Sequence, residues 1–475
     1  MIATFQGVRE KRTLFFSSPT LISELLERAG TGLAFPCLKQ GKCGKCKVRV
    51  SGKTSPVTGQ EKDLLTDAEL EKGVRLACCT FANGNILINY TIPENYFQEF
   101  KQKLLKFSEE FDNNNVYNII YDVGTTTIEV CAVAKNNGNK QYFSFTNPQI
   151  AFGSDVMSRL KYAKDHSLEE LRRCVHEPFE LIKKTLKPEK CVVTGNTVML
   201  HFFEGKDSSG MLDYPFTPSD RFGYEKGGIY FPHCVSAFVG ADVSCGILKS
   251  ELIQNENALL IDIGTNCEMA YCKDGAIYCC SVAAGPAFEG FSTSRGETAK
   301  DGSIVRVYLD NGKICSDTLG GGKPSGITGS GIVDLVSVLL KTGVLKKDGY
   351  LKDNFFIPGT EVFITPDDVR QIQLAKASVR AGIGTICKDN SVSKVFIAGN
   401  FGNALNIQSC VDIGLFPESF LGKTEFIGNS SIDGGKLLLE DENRKKLGEL
   451  IKKCKLVELA GNNEFAKKYI ENIDF

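Results

Sequence analysis

Three cysteines fall at Cys37, Cys43 and Cys46 inside the loop CLKQGKCGKC, and a further pair stands at Cys78 and Cys79. Thiolates spaced in this way bind soft metals, so the loop and one distant cysteine make a four-sulfur set for zinc or for iron and sulfide. Zinc sites usually pair two C-x2-C knuckles, and only Cys43-x2-Cys46 is one, which favours iron and sulfide. Gly41 and Gly44 suit that task, because glycine accepts positive φ and lets backbone N–H groups approach sulfur. Lys39, Lys42, Lys45 and Lys47 make either a solvated face or a shield for cluster charge that docks an acidic partner.

A second set of residues points to phosphate chemistry. Asp122-Val-Gly124-Thr125-Thr126 and Asp262-Ile-Gly264-Thr265-Asn266 each follow an apolar strand, about 140 residues apart. An aspartate at a strand end can hold a metal-bound water, while the glycine and threonines offer N–H and hydroxyl donors to phosphate oxygens. One such turn is an ordinary hairpin; two on matched strands indicate a pair that grips a nucleotide triphosphate. GITGSGIVDLV (326–336) adds Gly329, Ser330 and Gly331 at the opening of a helix, where phosphate is also favoured. No G-x-x-x-x-G-K-[ST] occurs, so a Walker-type loop is excluded.

These groups need elements to position them. IATFQGV and RTLFFS read as strands, and SPTLISELLERAG as a helix with Ser18 as N-cap, Pro19 in its first turn and Gly30 at its C-terminal end. KVRVSG alternates as a strand does, and VRLACCT (74–80) leads to another strand in NILINYTI (85–92). Residues 93–115 read as a polar linker with an amphipathic helical middle and an Asn-rich end. Beyond it, VYNIIYDVG and ALLIDIG carry the aspartate turns, and VVTGN (192–196) and VFIAGN (395–400) each end a buried strand before a helix. The same parts in both halves indicate a duplicated, two-lobed domain.

With 475 residues the chain has room for about three domains at ~150 residues each. A net charge of −1 argues against nucleic-acid binding. The longest apolar runs, such as VDLVSVLL (333–340), fall far short of the ~18 residues of a membrane span. The N-terminus lacks a signal-peptide core, so a cytoplasmic chain is expected. The eighteen cysteines then read mostly as small buried hydrophobes, as at Cys131, Cys191, Cys245, Cys272, Cys315 and Cys410. His201, in TVMLHFF, reads as a packed core residue rather than a catalyst.

Strand pair, helix, cysteine loop and later strands resemble the α+β β-grasp fold of plant-type [2Fe–2S] ferredoxins, whose first cysteine gap is one residue shorter than here. The RLAC ending of related modules picks Cys78 as fourth ligand beside Cys37, Cys43 and Cys46, leaving Cys79 spare. The paired turns resemble those of the acetate-kinase/sugar-kinase/Hsp70/actin superfamily. That likeness implies a duplicated α/β actin/Hsp70-like (ribonuclease H-like) ATPase fold. Asp122 and Asp262 would flank Mg2+ and ATP, with Gly399, Asn400 and Gly402 beside the adenosine. The domains expected are 1–92 for the ferredoxin module, 93–115 for the linker, 116–257 for ATPase lobe I and 258–475 for lobe II.

Taken together, the chain resembles the reductive activators of corrinoid proteins. The likeness runs almost end to end: the cysteine loop, DVGTTT (122–127), NPQIAFGSDVMSRL (147–160), TGNTVMLHFF (194–203), FVGADV (238–243), DIGTNCE (262–268), AAGPAFEG (283–290), GITGSGIVDL (326–335), ITPDDVRQIQLAKASVRAGI (364–383) and AGNFG (398–402). It departs from the family in its short length and in Cys267, where glycine is common. The resemblance implies an ATP-hydrolysing iron–sulfur reductase with a [2Fe–2S] cluster, ATP and Mg2+ as cofactors, returning Co(II) of a corrinoid protein to Co(I). Implied partners are the corrinoid protein, docking at surfaces such as 283–303, and an upstream reductase or ferredoxin, with a homodimer as a further expectation. Rival readings are an ATP-coupled donor to a radical dehydratase or reductase, a redox-sensing ATP-binding protein without turnover, and a metabolite kinase. The dehydratase activators bridge a [4Fe–4S] cluster between subunits, and a kinase leaves the cysteine module unexplained.

Overall fold

The computed structural model describes residues 1–6, 11–29, 31, 33, 35, 39, 41, 44, 46–90, 94–109, 115–153, 155–264, 266–289, 293–388 and 391–475. Cys37, Cys43, Thr265, Gly30, Lys42 and Lys45 lie outside the described residues. The chain divides into two units, one of Met1–Asp220 with Glu225–Tyr230, the other of Arg221–Tyr224 with Phe231–Phe475.

In the first unit, β1 (Ile2–Gln6) turns Ala3 and Phe5 inward by strict alternation. It pairs antiparallel with β2 (Lys11–Phe15). Helix α1 (Ile22–Arg28) lays Ile22, Leu25 and Leu26 into the same core. The sheet is completed by β3 (Lys47–Thr54), β4 (Val74–Leu76) and β5 (Phe81–Asn89), in the order β2-β1-β5-β3-β4 with β1 and β5 parallel. A parallel central pair with a helix across one face is the β-grasp arrangement. Ser18 does not cap α1. Thr20 and Leu21 pair with Ala82 and Phe81, so the helix starts at Ile22. The N–H groups of Ile22 and Ser23 are taken by the carbonyls of Thr80 and Ala77 at 2.9 Å, so the turn that follows β4 does the capping.

The expected linker is a helix over most of its length, α3 (Glu94–Glu109), and it is packed. Phe100, Leu104 and Phe107 are buried, with Phe100 4.6 Å from Phe145 and Phe107 4.5 Å from Phe143, ring centre to ring centre. Both partners belong to β8 (Lys140–Thr146), which follows β6 (Tyr117–Val123) and β7 (Thr127–Ala134) in an antiparallel meander. β9 (Cys191–Gly195) joins β6 in parallel on its other side, and β10 (Ile229–Phe231) joins β9 through Ile229 and Tyr230.

The second unit repeats this plan. β11 (Ala258–Ile263), β12 (Asn266–Lys273) and β13 (Ala276–Ala283) form the meander. β14 (Lys394–Ala398) lies parallel to β11 as β9 does to β6, and β15 (Thr424–Phe426) lies beside β14. The registers match as well: Asp122 faces Glu129 across its hairpin and Thr194 on the parallel side, while Asp262 faces Glu268 and Ala398. The duplication inferred from sequence is therefore one of fold.

Candidate cluster and nucleotide sites

Cys46 sits at the entry to β3 and Cys78 just past β4, and their sulfurs are 3.3 Å apart and buried. Two thiols at that distance are near enough to share one soft metal. Cys79 Sγ lies 3.6 Å from Cys78 Sγ and is half-buried. A methyl on Gly41, which has φ +69°, would come within 2.9 Å of Cys79 Sγ, so that side chain faces the cysteine loop. Among the described residues no three of His, Cys, Asp or Glu form a ready metal-binding group, and two of the four expected ligands lie outside them. The charge around the loop is partly offset within the chain: Lys39 pairs with Glu27 and Lys47 with Glu69, each at 2.6 Å.

Sequence reasoning missed the residue that holds this turn in place. Glu61, in α2 (Gly59–Leu64), is fully buried and receives Arg75 Nε and Nη2 at 2.8 Å each, the Leu76 N–H at 3.0 Å and Thr80 Oγ1 at 2.9 Å. Burial pushes its carboxyl up, but the bonds from Arg75, Thr58, Leu76 and Thr80 outweigh this and bring it to about 2. One carboxylate thus clamps both sides of Cys78.

In the first aspartate turn, backbone carbonyls are held from behind. Gly124 O accepts from Asn147 Nδ2 at 2.8 Å, Thr126 O from Asn147 N at 2.8 Å and Thr125 O from Arg159 Nη2 at 2.7 Å. Asn147 and Arg159 are both fully buried. Asp122, next to last in β6, is half-buried.

In the second turn, Gly264 N–H bonds Asn266 O at 2.8 Å as β12 begins. Asp262 is not alone there. Burial and the charge of Asp242 raise its carboxyl to about 7, burial raises Asp242 to about 6, and burial with both of these acids raises Glu268 well above its usual range. Asp242 belongs to the first turn of α6 (Ala241–Lys249), whose Cys245 carbonyl would be 2.3 Å from a methyl on Gly434 in a close helix crossing. Three acids placed so that each disfavours the others' ionisation make this end of the second unit a region where negative charge is costly. Glu268 was findable from the hairpin register opposite Asp262, whereas Asp242 was marked only by its place in the FVGADV motif (238–243) and not as a partner of Asp262.

The remaining expected residues fall in the same unit. Gly399 has φ +85°, and a methyl there would stand 2.7 Å from Asp262 Oδ1, so glycine is what lets the end of β14 close on the aspartate. Asn400 opens the short helix Asn400–Asn403, and within it Gly402 packs against Ile397 of the preceding β14. Gly329, Ser330 and Gly331 open α7 (Gly329–Lys341), capped by Thr328. Gly329 lies against the Phe288 carbonyl and the ring of Phe401, and those two rings stack 5.6 Å apart. The Ser330 hydroxyl bonds Thr328 Oγ1 at 3.0 Å and Val305 O at 3.2 Å. His201 is a core residue. Its Nδ1 bonds Thr197 O at 2.8 Å, its Nε2 accepts the Asp220 N–H at 3.3 Å, and burial lowers its pKa. No helix among the described residues is long and apolar enough to cross a membrane.

Comparison with known proteins agrees with this layout. A 2Fe-2S iron-sulfur cluster binding domain matches residues 8–83, the RACo middle region matches 117–255, and the C-terminal ASKHA domain of RACo matches 256–475. The corrinoid activation enzyme RamQ of Eubacterium limosum is 29% identical over 418 residues, covering 76% of this chain and 70% of that protein. A [Co(II) methylated amine-specific corrinoid protein] reductase of Methanosarcina barkeri is 25% identical over 393 residues, covering 71% of this chain and 73% of its own length. The solved structure of a reductive activator for corrinoid, iron–sulfur protein aligns with a TM-score of 0.69 at 25% identity, covering 100% of this chain and 98% of that one. The two RACo regions together take in residues 117–475 behind a ferredoxin-type module, and the chain belongs to the RACo family.

Proposed function

We propose that this chain is an ATP-dependent reductive activator: it passes one electron from a [2Fe–2S] cluster to Co(II) of a corrinoid protein and so restores Co(I) for methyl transfer. The observation that carries this reading is the union, in one chain, of a buried Cys46–Cys78 thiol pair in a β-grasp module with two equivalent aspartate hairpins downstream. The cluster, when bound, supplies one electron at a time. Cys37, Cys43, Cys46 and Cys78 hold it, and Glu61 fixes the turn that presents Cys78.

Asp122 and Asp262 would each offer a carboxylate to Mg2+ and its water, and the carboxyls of Asp242 and Glu268, whose charged forms burial disfavours, are the acids nearest in influence to Asp262. Gly124, Thr125, Thr126, Gly264, Thr265 and Asn266 offer the donors for phosphate oxygens, and Gly329, Ser330 and Gly331 offer a helix N-terminus. Gly399, Asn400 and Gly402 stand for the adenosine side. Hydrolysis supplies no electron: water adds to the γ-phosphorus, ADP leaves with inorganic phosphate, and differential affinity of two protein states offsets an unfavourable electron transfer. An upstream reductase or ferredoxin reloads the cluster, in the cytoplasm where thiols stay reduced.

The test is ATP hydrolysis measured anaerobically with and without a Co(II)-corrinoid protein. Hydrolysis should rise when that protein is present. Equal rates in both, with no change in the cobalt spectrum, would contradict the reading.

A further inference from the structure

Behind the first aspartate turn runs a continuous chain of contacts centred on the buried Asn147 and Arg159. Asn147 and Arg159 bind the carbonyls of Gly124, Thr125 and Thr126. Arg159, on α4 (Val156–Asp165), also donates Nε to Gly153 O at 2.9 Å and Nη1 to Gln149 Oε1 at 3.3 Å. Gly153 tolerates nothing larger, since a methyl there would lie 2.3 Å from Ser158 Oγ and 2.9 Å from Arg159 N. Asn147 caps the single helical turn Pro148–Ala151, whose Ala151 is buried in the hydrophobic core of the N-terminal module. Phe152 packs against that same core, which contains Cys46 and Cys78, and its ring lies 4.8 Å from that of Tyr162 on α4.

We infer that Asn147–Phe152, clamped by Arg159, is a connector that transmits the state of the Gly124–Thr126 turn to the cysteine module. The inference rests on the proposed ATP and cluster sites. Its logic is geometric: any shift of the turn carbonyls on phosphate binding pulls on Asn147 and Arg159. Both are fully buried in close packing and have little freedom to absorb the shift locally. The rigid short turn Pro148–Ala151 passes the shift to Ala151 and Phe152 and hence to the packing around Cys46 and Cys78. Arg159 is thus a positioning residue for the phosphate turn, and Phe152 is the coupling contact.

The experiment is hydrogen exchange on the full-length, cluster-loaded protein, with and without magnesium and a non-hydrolysable ATP analogue. Nucleotide should slow exchange in peptides covering 147–160 and in the module strands 74–76 and 81–89 by about threefold or more. Phe152→Ala should bind the analogue as wild type does and keep the response at 147–160, yet lose it in the module. Arg159→Lys keeps the charge but loses the planar fork, and should weaken analogue binding by about tenfold. A module response that survives Phe152→Ala, or a wild-type protein that binds the analogue with no module response, overturns the connector while leaving the proposed function standing. Absence of analogue binding overturns the proposed function instead, and the connector with it.

Discussion

Glu61 and Arg75 form a two-pronged buried pair, each carboxylate oxygen 2.8 Å from a guanidinium nitrogen, one residue before the Leu76 N–H that the same carboxylate also accepts. The pair fixes the turn carrying Cys78, and that turn caps α1 through Ala77 and Thr80. Removing one partner leaves the other buried and uncompensated. Glu61→Ala should therefore cost about 3 kcal/mol or more of module stability. Chemical denaturation followed by cluster absorbance should show the variant losing its visible spectrum at lower denaturant than wild type. An unchanged midpoint would contradict this role.

The same pair predicts an acid dependence. With the folded carboxyl at about 2 and its ordinary value at 4.5, the folded state binds fewer protons than the unfolded state in between. The Glu61 contribution is fully present above pH 4.5 and fades as pH falls towards 2. The stability gap between wild type and Glu61→Gln should thus be largest near neutrality and shrink below pH 4.5. A gap that widens on acidification would contradict the assignment.

The thiol geometry distinguishes the adjacent cysteines. Cys78 lies 3.3 Å from Cys46 and is buried, whereas Cys79 is half-buried with its sulfur 3.6 Å from that of Cys78. Cys78→Ser should lose the cluster and Cys79→Ser should keep two irons per chain with a rhombic S = 1/2 signal after dithionite reduction. Iron and sulfide analysis with EPR decides it. The reverse pattern would move the fourth ligand to Cys79, and a single zinc would remove the cluster altogether.

In the second unit the carboxyls of Asp242 and Asp262 are raised to about 6 and about 7. A cation must displace those protons, so Mg2+ affinity should climb steeply as pH rises from 6 to 8 and fall on acidification. Asp262→Asn should flatten that rise and lower ATP turnover by about a hundredfold or more, with iron content unchanged. Titration calorimetry at the two pH values reads the first effect directly. Equal affinities at both would contradict it.

Much of this was legible in the sequence because the informative groups follow local rules. Asp122 and Asp262 each stand next to last in an apolar strand, just before a glycine turn, so both hairpins can be placed from the residue pattern alone. The cysteine module was readable from ligand spacing. Less legible was whatever depends on contacts between distant segments. Ser18 and Pro19 look like a helix start, but the Thr20–Leu21 pairing with β5 overrides them. Glu61 sits in a polar stretch with nothing local to mark it as buried. Asp242 precedes Asp262 by 20 residues and reaches it only through the packing of α6. The stretch 93–115 reads as a spacer, yet Phe100 and Phe107 tie its helix to β8.

The most direct test is anaerobic spectroscopy of a Co(II)-corrinoid protein mixed with the dithionite-reduced, cluster-loaded chain. Co(I) absorption should grow when magnesium and ATP are added. It should stay flat without ATP, with Asp262→Asn, or with Cys78→Ser. Co(I) forming at the same rate without ATP, or not forming with it, would contradict ATP-dependent reductive activation.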